Sequence, residues 1–426
     1  MLHAKFNTIQ TKIMRMQKKD IFLSQIFKRT MKKLIFSLSL LLASQVLFSQ
    51  QYYPMADPCD PDKVFEKLPS AAYDNNCVFK LNITSQPFKY FPIEIYRYPN
   101  LKELSLQNTN ISSIPVDIYL LGELEVLDLS NNNLTTLPNT IGEMKKLRKL
   151  ILRNNKLNTL PQAISNCKNL EEIDITGNPI NFLPAEINSL LALNKFHFSG
   201  NQVKDPKVMM QLVRQIKNLT HLDLSGCNLN FVPSEVRTLK NLRALNLSNN
   251  NIHFLPSEIG NLTNLEVLVL GESANPGNKI YDLPASFANL KNLKVLMAAN
   301  NNFVGFPIVL ASLSNLEVLD LSNNRMEELP AEIGMMKGLQ SLNLMNNQLT
   351  DVPLEIGSLT KLTQFDYAGN PFTAQTQQKI MTLMTTGTYT EPVKVKIKKQ
   401  TIFYTKALQQ PIKLQCFFFN TTIKFL

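Results

Sequence analysis

The feature that most constrains the fold of this sequence is a repeat with a period of 23 residues. Thirteen units each begin with leucine or valine; ten of the twelve intervals between them are 23 residues long, and the other two are 26 and 28. A period in this range is typical of a solenoid, whose units stack along one axis. The leading positions are Val78, Leu101, Leu124, Leu147, Leu170, Leu193, Leu219, Leu242, Leu265, Leu293, Leu316, Leu339 and Leu362.

The units share one internal pattern. The unit LEVLDLSNNNLTTLPNTIGEMKK (124–146) is almost repeated by LRALNLSNNNIHFLPSEIGNLTN (242–264). Its alternating leucines predict a short strand with one face toward a core, and we expect the fifth position, between two core leucines, to face solvent. The asparagine at the ninth position predicts a turn, because its amide both donates to and accepts from backbone groups. One unit cannot bury its own leucines, so the units must stack into a curved parallel sheet.

These motifs resemble the leucine-rich repeat family, whose pattern is LxxLxLxxNxLxxLPxxIGxLxx, over residues 78–372. Among its members, the chain is most similar to the 23-residue class of the Ras-suppressor and Scribble-type scaffolds. The resemblance implies an α/β repeat solenoid, a curved horseshoe with a parallel β-sheet on its concave face and short helical or irregular turns on its convex face.

The net charge of +11 lies in the two ends of the chain. Residues 1–50 carry nine Lys or Arg and one Asp, and residues 391–426 carry seven Lys and one Glu. The body at 51–390 has 28 basic and 31 acidic residues, a balance of −3. A nucleic-acid-binding protein needs its cations on the folded face that meets the phosphates, so this distribution argues against nucleic acid.

Residues 31–51, MKKLIFSLSLLLASQVLFSQQ, have the order of a signal peptide: lysines, an apolar segment and a small residue for cleavage. The alternative is a membrane anchor. The apolar run 34–48 is fifteen residues long, however, whereas a stable span requires about 20. We therefore expect residues 1–50 to be a leader and signal peptide, with Met31 as a possible true start, and the mature protein to be exported.

The array needs a cap at each end. Residues 51–77 are expected to form the N-terminal cap, with Cys59 and Cys77 joined in a disulfide, as in many exported proteins; two free buried thiols are the alternative. Cys167 and Cys227 lie in repeats three apart, too distant to bond, and should be free and buried. Residues 373–404 are expected to form the C-terminal cap. The tail at 405–426 has no predicted structure.

No catalytic motif of the common classes is present, so we expect no enzymatic activity and no cofactor. Function should then lie on the concave face. One candidate there is a metal site, because Asp174, His197 and Asp223 share position five of consecutive units and His221 lies diagonally beside them. The alternative is a ladder of hydrogen-bonded side chains.

The second candidate is an apolar patch where polar residues are expected. It coincides with the 28-residue unit, in which the segment GESANPGN (271–278) interrupts the repeat. Side chains at equal positions on neighbouring strands should touch, and exposed apolar patches often mark partner sites. The alternative is a neutral insertion, since surface loops lengthen at little cost. The predicted partner-binding residues are Val267, Val269, Glu272, Val295, Met297, Ala299 and Val318.

The sequence thus predicts a non-enzymatic exported scaffold that binds a protein or a glycan on its concave face. Two alternatives stay open: a structural role in envelope assembly, or an intracellular scaffold for a signalling GTPase if residues 31–50 are not a signal peptide. Neither the partner nor the oligomeric state follows from the sequence, because a fold does not fix a function.

Overall fold

The computed structural model describes residues 59–70, 73–273 and 277–386, with four short strands closer to the C-terminus. By its contacts the chain divides into residues 1–59 and 60–426, and every element below belongs to the second unit. The leader expected at residues 1–50 lies outside the described residues.

One sheet of sixteen strands runs through the molecule in chain order. All neighbouring strands are parallel except the last pair, which is antiparallel. The strands are β1 (Val64–Phe65), β2 (Lys80–Asn82), β3 (Glu103–Ser105), β4 (Val126–Asp128), β5 (Lys149–Ile151), β6 (Glu172–Asp174), β7 (Lys195–His197), β8 (His221–Asp223), β9 (Ala244–Asn246), β10 (Val267–Gly271), β11 (Val295–Ala298), β12 (Val318–Asp320), β13 (Ser341–Asn343), β14 (Gln364–Asp366), β15 (Lys394–Lys398) and β16 (Gln400–Ile402). Two further strands, β17 (Leu414–Gln415) and β18 (Thr422–Ile423), pair separately. The predicted parallel solenoid is confirmed.

The core is a single column of leucines between the sheet and the turns. Leu127, Leu150 and Ile173 pair in register across three strands, and each is fully buried. The column continues from Val78 to Met384. Each unit therefore buries its apolar face against its neighbours, which is what stabilises a solenoid.

Short 3-10 turns line the convex side. Each of the eleven five-residue turns directly follows a proline, whose ring fixes φ, as at Pro138 with φ −68°. Within that turn Ile141 is fully buried and packs into the core. The turns are Ile93–Arg97, Val116–Leu120, Asn139–Glu143, Gln162–Asn166, Ala185–Ser189, Ser234–Thr238, Ser257–Asn261, Ala285–Asn289, Ile308–Ser312, Ala331–Met335 and Leu354–Ser358.

Two α-helices depart from this pattern. Helix α1 (Pro206–Val213) replaces the 3-10 turn in the 26-residue unit, and Met210 and Val213 on it are buried in the core. Helix α2 (Ala374–Thr386) follows the last repeat, with Ile380 fully buried. None of the helices in the described part of the chain is both long and apolar enough to cross a membrane.

The ninth-position asparagines join consecutive units. The Asn132 amide nitrogen donates to the carbonyls of Leu106 (2.7 Å) and Leu129 (2.9 Å), and its oxygen accepts from the amides of Thr109 and Ile111, both at 3.1 Å. One buried side chain thus satisfies four backbone groups across two units, as the turn prediction requires.

The cysteines fall into two kinds. Cys59 and Cys77 are disulfide-bonded, as predicted from export and spacing. Cys167 and Cys227 are free and fully buried. Burial raises the pKa of the Cys167 thiol to about 11 and that of Cys227 to about 12, so both stay protonated and unreactive at neutral pH.

Candidate binding site on the concave face

The concave face carries a small apolar cluster at the centre of β9–β12. Val267 pairs in register with Ala244 on one side and with Val295 on the other, and Val295 pairs with Val318. One position along, Val269 pairs with Met297. The structure therefore brings together the side chains that the sequence analysis grouped at positions three and five.

This cluster is less exposed than the sequence analysis expected. Val267, Val269 and Val318 are 8%, 5% and 4% exposed: the first two pack with Ala244, Val295 and Met297, and Val318 pairs with Val295 on the closely spaced neighbouring strand. Only Val295 and Met297 are half-buried and reach solvent. We name this group, Ala244, Val267, Val269, Val295, Met297 and Val318, the concave apolar cluster.

Ala299 does not contribute an accessible surface, contrary to the expectation that placed it in the patch. It is fully buried. The insertion closes over it: any side chain at Gly271 would strike the Ala299 carbonyl, and one at Gly277 would strike the carbonyls of Ala299 and Asn300. Glycine is required at both places because only hydrogen fits against that backbone.

The insertion is tied to the two strands that follow it. A β-bulge between Val269 and Gly271 turns the chain out of β10. The Ser273 hydroxyl then donates to the Asp320 carboxylate at 3.0 Å and lies 3.0 Å from the Ser322 hydroxyl, two units away. Half-buried Glu272 accepts a hydrogen bond through its backbone carbonyl from the Asn300 side chain (2.6 Å). Ser273 therefore lies at the edge of the concave apolar cluster, because Asp320 pairs in register with Met297.

The side chains at position five are buried from β6 to β10 and on β12 and β14, and there the expectation that they face solvent is wrong; on the other repeat strands they are half-buried or, at Asn82, exposed. Asp174, His197, Asp223 and Asn246 are all 3% exposed or less. They point to the concave side, but neighbouring strands are only about 4.8 Å apart, so each is covered by the side chains beside it. Asn246, for example, accepts from the amide (3.0 Å) and hydroxyl (2.8 Å) of Ser248.

The histidine and carboxylate group on β6–β8 forms a ladder of side chains on neighbouring strands, whose carboxylates are hydrogen-bonded to other residues of the chain. His197 pairs in register with Asp174 and Asp223. The Asp174 carboxylate accepts from the Arg153 guanidinium, and the Asp223 carboxylate accepts from the Ser225 amide (2.9 Å) and hydroxyl (2.7 Å). Both carboxylates thus already have partners within the chain.

The pKa values of this ladder reflect its burial. Burial lowers the pKa of His221 to about 4, with electrostatic interactions with Lys195 and His197 acting in the same direction. Burial raises the pKa of Asp223, opposed by the hydrogen bonds from Ser225. A neutral His221 at physiological pH adds no positive charge to the concave face.

In the part of the chain that the structure describes, one group of three side chains has metal-ligand spacing. It is Cys59, Asp74 and Cys77, whose ligand atoms lie within 4.8 Å of one another. Both sulfur atoms are in a disulfide, however, and are not available as thiolate ligands. The histidines and carboxylates of the β6–β8 ladder have suitable donor atoms but are not among the described residues with metal-ligand spacing.

Sequence reasoning missed a polar cleft beside the insertion. It is lined by residues of the turns after β10–β12, including Ser273, Lys279, Asn302 and Arg325. The sequence did contain a signal for this cleft. Lys279, Asn302 and Arg325 each directly follow the ninth-position asparagine of three consecutive units, so the two cations lie on either side of Asn302.

The stacked units, the leucine column and the asparagine ladder define a solenoid of the leucine-rich type. Residues 78–223 and 199–324 match the family model described as a leucine-rich repeat region, and residues 314–356 match one described as two copies of leucine-rich repeats. The first model alone covers more than half of the chain. The protein belongs to the leucine-rich repeat family.

Solved structures share this fold. A leucine-rich repeat protein of Leptospira interrogans is 29% identical, with a TM-score of 0.56, over 79% of this chain and 100% of that one. An internalin of Listeria monocytogenes is 22% identical, with a TM-score of 0.58, over 70% and 82%. The ectodomain of the Arabidopsis receptor kinase HAESA, solved with a peptide hormone, is 30% identical, with a TM-score of 0.53, over 69% and 50%. No curated protein sequence matches the chain.

Proposed function

We propose that this protein is an exported, non-enzymatic recognition scaffold that binds a protein partner through the concave apolar cluster. One observation carries the proposal: Val295 and Met297 reach solvent from a cluster of apolar side chains on neighbouring strands, whereas Val126 and Ile151, elsewhere on this face, each have charged residues paired with them on both sides. Apolar side chains at the centre of a concave surface provide the kind of anchor on which protein interfaces depend.

Three further facts support a binding role. The family and the fold are those of interaction scaffolds, and the HAESA ectodomain, at 30% identity, was solved with a bound peptide. The sheet is parallel and rigidly packed, so its concave face changes little on binding. The buried carboxylates of Asp174 and Asp223 already have hydrogen-bond partners within the chain, which favours a structural role for them over a catalytic one.

Export is supported by the disulfide between Cys59 and Cys77, because such bonds persist in oxidising compartments. A disulfide also argues against the alternative of an intracellular GTPase scaffold. The signal peptide proposed at residues 31–50 would direct the chain to such an oxidising compartment, in agreement with the disulfide.

Capture of a partner from the native host, with the full chain as bait, provides the ligand for the test. Met297→Lys should then weaken binding at least tenfold, because it places a charge that the apolar contact would desolvate. Met345→Lys is the matched control: Met345 is half-buried, outside the concave apolar cluster and two units away. Both variants should keep the wild-type melting temperature.

Equal binding by the Met297→Lys variant and the wild type would show that the partner does not bind through the concave apolar cluster. Unfolding of the Met297→Lys variant alone would show that Met297 serves the core, and Val295→Ser would then repeat the test at the second accessible position.

A further inference from the structure

A polar cleft of about 690 Å³ opens beside the insertion, where the chain leaves β10–β12 and turns. Its described lining contains asparagines, Ser273, Gly277, Lys279 and Arg325, and no acidic or aromatic side chain. A volume of this size falls within the range of roughly 300–1,000 Å³ that is usual for ligand sites. Its chemistry differs from that of the concave apolar cluster, so it is a separate surface.

The two cations of the cleft are held in register by the solenoid. The amide of Asn302 donates to the carbonyl of Ile280 (2.8 Å), and the amide of Arg325 donates to that of Phe303 (2.9 Å). Lys279, Asn302 and Arg325 therefore occupy the same position in three consecutive units. At about 4.8 Å per strand, Lys279 and Arg325 stand roughly 10 Å apart at the backbone.

Neither cation is neutralised. Lys279 and Arg325 are both exposed, and across the described residues neither forms an ion pair. Charged residues at the beginning of the strands behave differently, as where Arg148 meets Glu171 at 2.9 Å. In a body whose overall charge is slightly negative, two adjacent uncompensated cations favour an anionic ligand.

Amide groups extend the donor surface between the cations. The Asn302 side-chain nitrogen reaches the Lys279 carbonyl only at 3.5 Å, the limit of a hydrogen bond. The Asn323 side-chain oxygen accepts from the Asn346 side chain at 2.7 Å, and the Asn323 side-chain nitrogen donates to no group in the described chain. Such amides can pair with the peptide groups of an extended ligand, since each carries both a donor and an acceptor.

We propose that this cleft binds an acidic, extended segment of a protein, with Arg325 and Lys279 pairing with its carboxylates and Asn302 and Asn323 with its backbone. The guanidinium fork of Arg325 matches a carboxylate. A peptide is favoured over a sulfated sugar chain because no aromatic ring lines the cleft to stack on a sugar face. This site deepens the protein-binding function proposed above, on which it rests, by assigning a charge to the partner.

The test uses the full chain and a fluorescein-labelled ten-residue peptide rich in glutamate, with binding followed by fluorescence anisotropy at low ionic strength. We expect saturable binding that the Lys279→Gln, Arg325→Gln double variant weakens at least tenfold. The charge-matched control is Lys156→Gln with Lys240→Gln: Lys156 is exposed at position ten of a distant unit, and Lys240 is exposed on the convex side. This control should weaken binding less than twofold.

Three results would overturn the proposal: no binding to the wild type, equal weakening by the control pair, or displacement of the peptide by a heparin-derived sulfated oligosaccharide but not by unlabelled peptide. Binding unchanged by Met297→Lys but lost in the Lys279, Arg325 variant would support the cleft. Because this assay needs no captured partner, its failure is separate from failure of the concave-face test.

Discussion

At the scale of the single residue, alternation along a strand separates core from concave side but does not decide exposure. Leu247 lies in the leucine column and Asn246 on the concave side, yet they are 1% and 2% exposed. The difference between them is chemical: Leu247 fills apolar volume, whereas Asn246 accepts hydrogen bonds from Ser248. Mutation of each residue to alanine should therefore lower the free energy of unfolding for a different reason and by a different amount.

Leu247→Ala should lower the free energy of unfolding by about 2–5 kcal/mol, because it leaves a cavity in the column. Asn246→Ala should lower it by about 1 kcal/mol, because Ser248 loses its buried acceptor. Urea denaturation followed by circular dichroism measures both. A loss below about 0.5 kcal/mol for Asn246→Ala is what a solvated concave position would give, and would contradict the burial described here.

His221 should make stability depend on pH. Its pKa in the folded chain is about 4, against an ordinary value of 6.5, so between these values the unfolded chain binds a proton that the folded chain does not. Stability therefore falls as the pH decreases through this window. Asp223 acts in the opposite sense, because its raised pKa lets the folded chain take up a proton more readily.

His221→Gln isolates the histidine contribution. Between pH 7.5 and pH 5 the wild type should lose about 1 kcal/mol more unfolding free energy than the variant, a figure reduced for the partial exposure of the ring. Denaturant titrations at the two pH values measure it. Identical pH profiles would show that His221 titrates normally in the folded chain.

At the scale of the element, the insertion in the 28-residue unit is compatible with the repeat because it returns to the ladder. Asn278, its last residue, accepts from the Ile252 amide at 3.0 Å and donates to the carbonyls of Leu247 (2.9 Å) and Leu270 (2.7 Å). These are the bonds that an asparagine makes in an uninterrupted unit. The insertion therefore leaves the asparagine bonds between these units intact.

Replacement of residues 271–278 by Ser-Asn-Asn restores the 23-residue period and should leave the solenoid folded, with a melting temperature within a few degrees of wild type. It removes Ser273 and uncovers Ala299, so binding of both the captured partner and the acidic peptide should weaken. Calorimetry and the two binding assays measure these effects. Unchanged binding in both assays would leave the insertion as a neutral extension of the loop.

At the scale of the whole molecule, the fold can be predicted from the sequence because each unit repeats the same pattern of core leucines, asparagine and proline. The strand register, including the pairing of Val267 with Val295, follows from aligning equal positions of the 23-residue pattern. The candidate site was harder to predict. The burial of Ala299 and the cleft at Lys279 and Arg325 depend on where the insertion folds back, and the repeat pattern carries no information about that segment.

The proposed export predicts a mature chain that begins near Gln50 or Gln51, since the lysine, apolar and small-residue order ends there. Mass spectrometry of the protein secreted by its native host should find no peptide from residues 1–45, and the peptides containing Cys59 and Cys77 should be linked until a reductant is added. Recovery of intact Met1 peptides from cytoplasm, with both thiols free, would instead favour the intracellular scaffold.

The asparagine ladder also determines how the molecule should respond to a pulling force, because its hydrogen bonds join consecutive units. Under tension along its length, a solenoid extends like a spring until one joint between units opens, and each freed unit of 23 residues adds roughly 80 Å of chain. At two joints between repeats another residue takes the place of the asparagine: the Thr109 hydroxyl donates at 2.8 Å to the Leu106 carbonyl of its own unit and, in the described chain, to no carbonyl of the preceding unit, and the Cys227 thiol donates to the Phe198 carbonyl at 3.3 Å but offers only a weak sulfur acceptor in return. We expect these two joints, the second of which helix α1 adjoins, to open first when the protein is pulled from its ends.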